Sequence, residues 1–173
     1  LPYLMFSCAT PLEEIDYEDS ISTTTEKSLQ VSNAGYGYLC ENGECRLSES
    51  VQDLFSERVG FRQDTTGGLG GKHCIVRNFD DSGEGTLRQC AETDNPVWIT
   101  FERLGTIQLE DNINLPANST VDGRGHEITI ENAGLYVNRV ENVLITHLKI
   151  RKAKDDAINV KYESKKVWIN HIS

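Results

Sequence analysis

The chain has 173 residues, 38% hydrophobic and 25% charged, with a formal net charge of −10, enough for one domain with a modest core. No apolar run is long enough to span a bilayer, so the mature chain is expected to be soluble, with no membrane partner. Nucleic acid is likewise not an expected partner, because no basic face is available to displace counterions from phosphates.

The acidity is uneven. Residues 1–60 hold eleven Asp and Glu against three Lys and Arg, whereas residues 61–173 hold sixteen against fourteen. Leu1 to Ala9, LPYLMFSCA, reads as the tail of a signal-peptide apolar region, with Ser7-Cys8-Ala9 as a small-x-small cleavage site, and implies secretion. From residue 10 to about 58 the chain is acidic and rich in Ser and Thr, as in the STTTEKS stretch from Ser22. The segment 1–59 therefore reads as a loosely ordered acidic extension. Within it a short helix is predicted around Val51–Arg58, with Val51, Leu54 and Phe55 on one face and Ser48 or Ser50 as N-cap. If Cys8 leaves with a leader, Cys40, Cys45, Cys74 and Cys90 remain, and the three pairings they allow stay open. Cys40 and Cys45 could close a small loop or be two thiols of a metal site. No Cys/His pair follows at finger spacing, which favours disulfides and an oxidising compartment.

A different regime begins near Gly60. Thr65–Lys72, TTGGLGGK, is too glycine-rich for a regular element, but it is not a phosphate loop. Lys72 is followed by His73, Cys74, Ile75 and Val76, which read as a strand, not by Ser or Thr opening a helix. The glycines fit a tight backbone turn feeding that strand. In Asp80–Glu92, Leu87, Cys90 and Ala91 fall on one face of a short helix, with Asp80, Asp81 and Ser82 as turn and cap residues before it. Pro96–Phe101 alternates Val97, Ile99 and Phe101 against Trp98 and Thr100, and Gly105–Glu110 repeats the alternation with Ile107 and Leu109. Asn118-Ser119-Thr120 is a glycosylation acceptor.

Short strands with polar corners then recur. STVDG from Ser119, NVLIT from Asn142 and KVWIN from Lys166 occupy matching places, with Val121 and Val143 22 positions apart and Val143 and Val167 24 apart. A period of that size with strand-only content predicts an all-β solenoid rather than a β-sandwich. Each coil is too small to bury its own apolar face, so stacked coils share one interior. Val121, Val143 and Val167 are expected in one inward-facing row, with Ile145, Leu148 and Ile150 also inward.

GFRQDTTGGLGGK (Gly60–Lys72), DDSGEGTLRQ, PVWITFERLGTIQL, STVDGRG, NVLITHLKIR, DDAINV and VWINHIS resemble, in order and spacing, the start of family-one pectate lyases. The resemblance covers residues 60–173 and leaves 1–59 unmatched. It implies a right-handed parallel β-helix whose N-terminal end is capped by a short helix. It also implies a secreted monomer that cleaves polygalacturonate or pectin of plant cell walls by β-elimination, with Ca2+ as cofactor. It carries calcium ligands onto Asp156 and, less closely, Asp155, because an ungapped match puts Lys154 at the other ligand position. The family's VWIDH reads VWINH here, so Asn170 replaces an acid and keeps an acceptor without the charge, while His171 is retained as a structural or site-supporting residue. The family's catalytic Arg lies on a later coil. Arg124 and Arg151 come too early to match it and read as turn and surface residues. The 173 residues are therefore expected to be the incomplete N-terminal part of a longer lyase, with a catalytically silent β-helix that binds carbohydrate as the alternative.

Overall fold

The structure, a computed structural model, describes residues 34–94 and 96–173. The signal-peptide reading of Leu1–Ala9, Cys8 and the Ser22 stretch lie outside the described residues. Residues 34–59 do not form a loose tail. A hairpin of β1 (Tyr38–Glu41) and β2 (Glu44–Leu47) pairs antiparallel, with Cys40 opposite Cys45 and joined to it by a disulfide. It leads through Ser48 at the N-cap into α1 (Glu49–Ser56).

The rest is strand, apart from one short helix. In chain order come β3 (Lys72–Val76), α2 (Leu87–Ala91), β4 (Val97–Phe101), β5 (Gly105–Gln108) and β6 (Ile113–Leu115). They are followed by β7 (Ser119–Asp122), β8 (Ile128–Glu131), β9 (Leu135–Asn138), β10 (Glu141–Arg151), β11 (Ile158–Lys161) and β12 (Lys165–Ile172). These strands wind as a parallel β-helix of about four turns. One face stacks β3, β4, β7, the first half of β10, and β12. A second stacks β5, β8 and the last residues of β10, and a third stacks β6, β9 and β11.

The register corrects one reading of the repeats. Val143 pairs with Val167 but with Ser119 on the other side, and Val121 pairs with Ile99 and Ile145. The coil from β7 to β10 is thus 24 residues long, like the next, rather than 22. Because side chains alternate along a strand, a two-residue displacement keeps the face, so Val121, Val143 and Ile145 are all fully buried in the shared interior. Val167 packs against that interior from the last coil. Leu148 and Ile150 also point inward.

Asparagines turn the corner into the first face. Asn118 and Asn142, one coil apart, have φ of 51° and 61°, a left-handed conformation that Asn tolerates better than most residues. Asn142 Nδ2 donates to Asn118 Oδ1 at 2.9 Å, and Asn142 Oδ1 accepts from the backbone N–H groups of Thr66 and Gly67 at 2.8 and 3.0 Å. That contact explains the glycine-rich stretch. The backbone of Gly67 and Gly68 lies so close to the stack that a Cβ would sit 2.0 Å from Thr120 Oγ1 or 1.9 Å from the Val97 carbonyl oxygen.

At the first coil, Leu87, Cys90 and Ala91 of α2 close over the interior, and a disulfide from Cys90 to Cys74 ties the helix to β3. The helix is capped by Thr86, whose Oγ1 accepts from Gln89 N at 3.2 Å, not by Asp80–Ser82. Asp81 serves otherwise: its carboxylate accepts from Arg88 Nη2 at 2.5 Å and from Glu110 N at 2.9 Å. The Arg88 hydrogen bond holds the Asp81 carboxyl below the usual carboxylate range.

The first face is apolar on its outer side as well. Trp98, Thr120, Leu144 and Trp168 share one outward row. Val51 and Leu54 of α1 cover it, with Tyr36, Leu47, Phe55 and Leu69 around them. The amphipathic pattern of α1 was legible in the sequence, but its binding surface was not. Two outcomes follow. Leu54, fully buried, should cost about 2–5 kcal/mol when replaced by Ala, as measured by urea unfolding, while Val59→Ala at an exposed site should change little. A depressed carboxyl contributes stability above its unfolded pKa and loses it as pH falls through the folded value. Asp81→Asn should therefore lower stability at neutral pH and flatten its decline in acid.

Candidate functional site

The outward row of the first face continues past the apolar residues into polar ones. Two residues beyond Thr120, Leu144 and Trp168 stand Asp122, Thr146 and Asn170, paired across β7, β10 and β12. Thr146 and Asp122 are buried. A buried carboxylate needs a charged partner and further donors. Asp122 takes Arg124 Nε on Oδ1 at 2.9 Å and Nη2 on Oδ2 at 2.7 Å, with Trp98 Nε1 donating to Oδ2 at 3.3 Å. Arg124 reaches on to the Ser50 carbonyl oxygen at 2.7 Å, joining this pair to α1. Burial alone would lower the Arg124 pKa, but the hydrogen bonds and charge of Asp122 outweigh it and raise it. Burial, then the Asp122 charge, raises the Tyr36 phenol. Arg124 is thus a half-buried clamp between sheet and helix rather than the surface residue the sequence implied.

Immediately after Thr146 and Asn170 come His147 and His171, again one coil apart. Both have positive φ, 56° and 50°, where β10 and β12 turn off the first face. Their rings stack at 4.2 Å between centroids. Thr146 Oγ1 hydrogen-bonds His147 Nδ1 at 2.7 Å. Glu57, next after α1, brings Oε2 to 3.7 Å from His171 Nδ1. His147 is held below the ordinary histidine pKa, first by burial and then by repulsion from His171 and Arg124, with Glu57 and Asp122 opposing. An open cleft of about 430 Å³ adjoins the pair, lined in part by His126, Glu127, Lys149 and Ser173.

The other residues singled out from the sequence lie apart from this cluster. Asp155 and Asp156 are exposed on the loop ahead of β11, on the third face. Asp156 Oδ2 accepts from Asn159 Nδ2, and Lys154 Nζ donates to the Glu110 carbonyl oxygen at 3.0 Å, so it points to backbone rather than to the two acids. Asn170 sits half-exposed beside Thr146. Arg151 is exposed and pairs with Glu131 across β10 and β8. Asn118 is half-buried in the asparagine ladder, with Ser119 and Thr120 fully buried behind it. Reasoning from sequence missed Asp122, His147 and Glu57. The 24-residue interval between the two histidines equals the coil length and was the available signal, whereas nothing local marked Glu57, whose role depends on where α1 docks.

No family model matches the chain. Among curated proteins, pectate lyase 1 of Ambrosia artemisiifolia is 33% identical over 99% of this chain and 51% of its own length. Putative pectate lyase 21 of Arabidopsis thaliana is 28% identical over 96% of this chain and 48% of its own. Pectate lyase 1 of Cryptomeria japonica is 36% identical over 61% of this chain and 30% of its own. Among solved structures, Jun a 1, the major allergen from cedar pollen, superposes with a TM-score of 0.64 at 26% identity, over 72% of this chain and 44% of its own. The chain spans about half the length, or less, of the curated relatives it matches.

The Asp122–Arg124 pair is open to a direct test. Removing one partner of a buried pair leaves the other charge uncompensated and costs about 3–5 kcal/mol. Arg124→Met should lose stability of that order, and adding Asp122→Asn should restore part of it, measured as a double-mutant cycle in urea.

Proposed function

This chain belongs to the pectate lyase family, and we propose that the protein carrying these coils is a secreted, calcium-dependent lyase that cleaves polygalacturonate by β-elimination. The observation that carries the reading is the agreement of seven ordered motifs with coils that stack in register, together with relatives named as pectate lyases over nearly the whole chain. Two disulfides are in keeping with an oxidising, extracellular setting. No helix among the described residues is long and apolar enough to cross a membrane.

In β-elimination the proton beside a uronate carboxylate leaves, and the neighbouring sugar oxygen is expelled. That proton is weakly acidic, so negative charge developing next to the carboxylate must be neutralised. A bound Ca2+ supplies that neutralisation through oxygen ligands. The fit of this chain to such an ion is partial. Asp156 and Asp155 offer carboxylate oxygens of the right hardness in an exposed loop, but they belong to no close group of three acidic or imidazole ligands among the described residues. They would hold the cation as part of a site and leave room for substrate oxygens. Lys154 beside them cannot ligate the metal, and its Nζ donates to the Glu110 carbonyl oxygen. The proton acceptor implied by the family, an Arg on a later coil, has no counterpart in residues 1–173, so the reading concerns a polypeptide that includes such coils. The substrate's negative charge is not an obstacle, since most of the chain's own excess lies in residues 1–60.

Asn170 and Lys154, where the family resemblance places acids, favour one second reading: a β-helix that binds acidic polysaccharide without cutting it. The two separate in one assay. On polygalacturonate, the lyase yields an ultraviolet-absorbing unsaturated product that disappears on chelation, and Asp156→Ala should weaken Ca2+ binding by at least about tenfold. Retention of the polysaccharide with no such product would support the binding module instead, and unchanged Ca2+ affinity in Asp156→Ala would remove Asp156 as a ligand.

A further inference from the structure

The cluster on the outer side of the first face is not used by the chemistry above. Glu57, His147 and His171 each offer a ligand atom within 4.8 Å of the others. They come from three places far apart in the chain: the residue following α1, the corner inside β10, and the end of β12. Glu57 Oε2 is shut away from solvent and accepts no hydrogen bond from any described residue. A buried carboxylate oxygen without a donor is costly, and native structures supply a proton or a cation. The nearby guanidinium of Arg124 is committed to Asp122 and Ser50.

We propose that Glu57, His147 and His171 form a binding site for a zinc-type divalent cation, which fastens the end of α1 to the outer side of the β-helix. The donor set decides the class of ion. Two imidazoles and one carboxylate suit zinc and its first-row neighbours, whereas calcium prefers oxygen ligands throughout. This site is therefore separate in place and chemistry from the Asp155–Asp156 loop. Ligands about 2.1 Å from a tetrahedral zinc are roughly 3.4 Å apart. The 3.7 Å between His171 Nδ1 and Glu57 Oε2 is already near that separation. With Nε2 free for a metal, His147 Nδ1–H donates to Thr146 Oγ1, the outer support that orients a ligating imidazole. Three protein ligands leave a fourth position for water, and the adjoining cleft admits it.

The test is titration of ZnCl2 into the full chain carrying Cys8→Ser, which removes the remaining thiol, followed by calorimetry and by thermal unfolding. The expected result is a single saturable site whose occupancy raises the unfolding temperature. Co2+ in its place should give the visible absorption of a low-symmetry nitrogen and oxygen site. Glu57→Gln, which keeps the side chain's shape, and His147→Ala should each weaken Zn2+ at least tenfold and abolish the thermal shift. His73→Ala should do neither. Absence of saturable binding, or binding that Glu57→Gln leaves intact, overturns the proposal. So does a loss in His73→Ala matching that in His147→Ala.

Discussion

Everything in this molecule rests on the parallel register of one sheet. Val97, Ser119, Val143 and Val167 lie in one file, and Ile99, Val121, Ile145 and Ile169 in the next. Each coil alone presents a few aliphatic side chains and could not repay the entropy of ordering its backbone. Stacked in register, the same side chains close a continuous interior that runs from α2 to the last strand. The asparagine corner keeps the coils from slipping, because Asn142 satisfies both its coil neighbour and the glycine-rich segment lying alongside. A one-residue slip would exchange inward and outward sets at once.

The same alternation sets up the outer surface. With Val143 and Ile145 pointing in, Leu144 must point out, and with it Trp98 and Trp168. Most solenoid faces leave such a row to solvent and populate it with polar residues. Here it is aromatic and aliphatic, and α1 is the element that removes it from water. Residues 34–59 are therefore an integral part of the fold. Arg124 makes the dependence mutual, since the cation that neutralises Asp122 on the sheet also bonds to Ser50 on the helix.

The sequence carried the β-helix because its evidence is periodic. Alternation within Val97–Phe101 and recurrence from Ser119 to Asn170 are properties of neighbouring residues and of a fixed interval. The 22-residue interval from Val121 to Val143 differs from the coil by two residues, because STVDG matches NVLIT at either aliphatic position and only the backbone pairing of Ser119 with Val143 separates the two. The capping helix α2 was legible from Leu87, Cys90 and Ala91, whereas its N-cap was not, since Asp80–Ser82 are as suited to a turn as Thr86 is to a cap. The disulfides were legible as a class but not as pairs. Arg124 shows the sharper limit. As the residue after a strand, in Asp-Gly-Arg-Gly, it has every local mark of a turn, and its bond to Ser50 shows that the docking of α1 half-covers it.

The chemistry divides along the same line. The acids that the family resemblance singles out, Asp155 and Asp156, sit on an exposed loop ahead of β11. The imidazoles sit at corners of the first face, each forced into a left-handed backbone conformation that costs of order 1 kcal/mol or more for a residue with a Cβ. Stacking the rings with a carboxylate oxygen left unpaired adds to that cost. Such an arrangement persists only when something compensates, and the covering helix supplies part of the compensation by burying Trp98, Leu144 and Trp168. A cation held by Glu57, His147 and His171 would supply the rest, at a second polar junction of helix and sheet beside that of Arg124 with Ser50. On this argument the outer surface of the first face has a mechanical role, holding α1 in place.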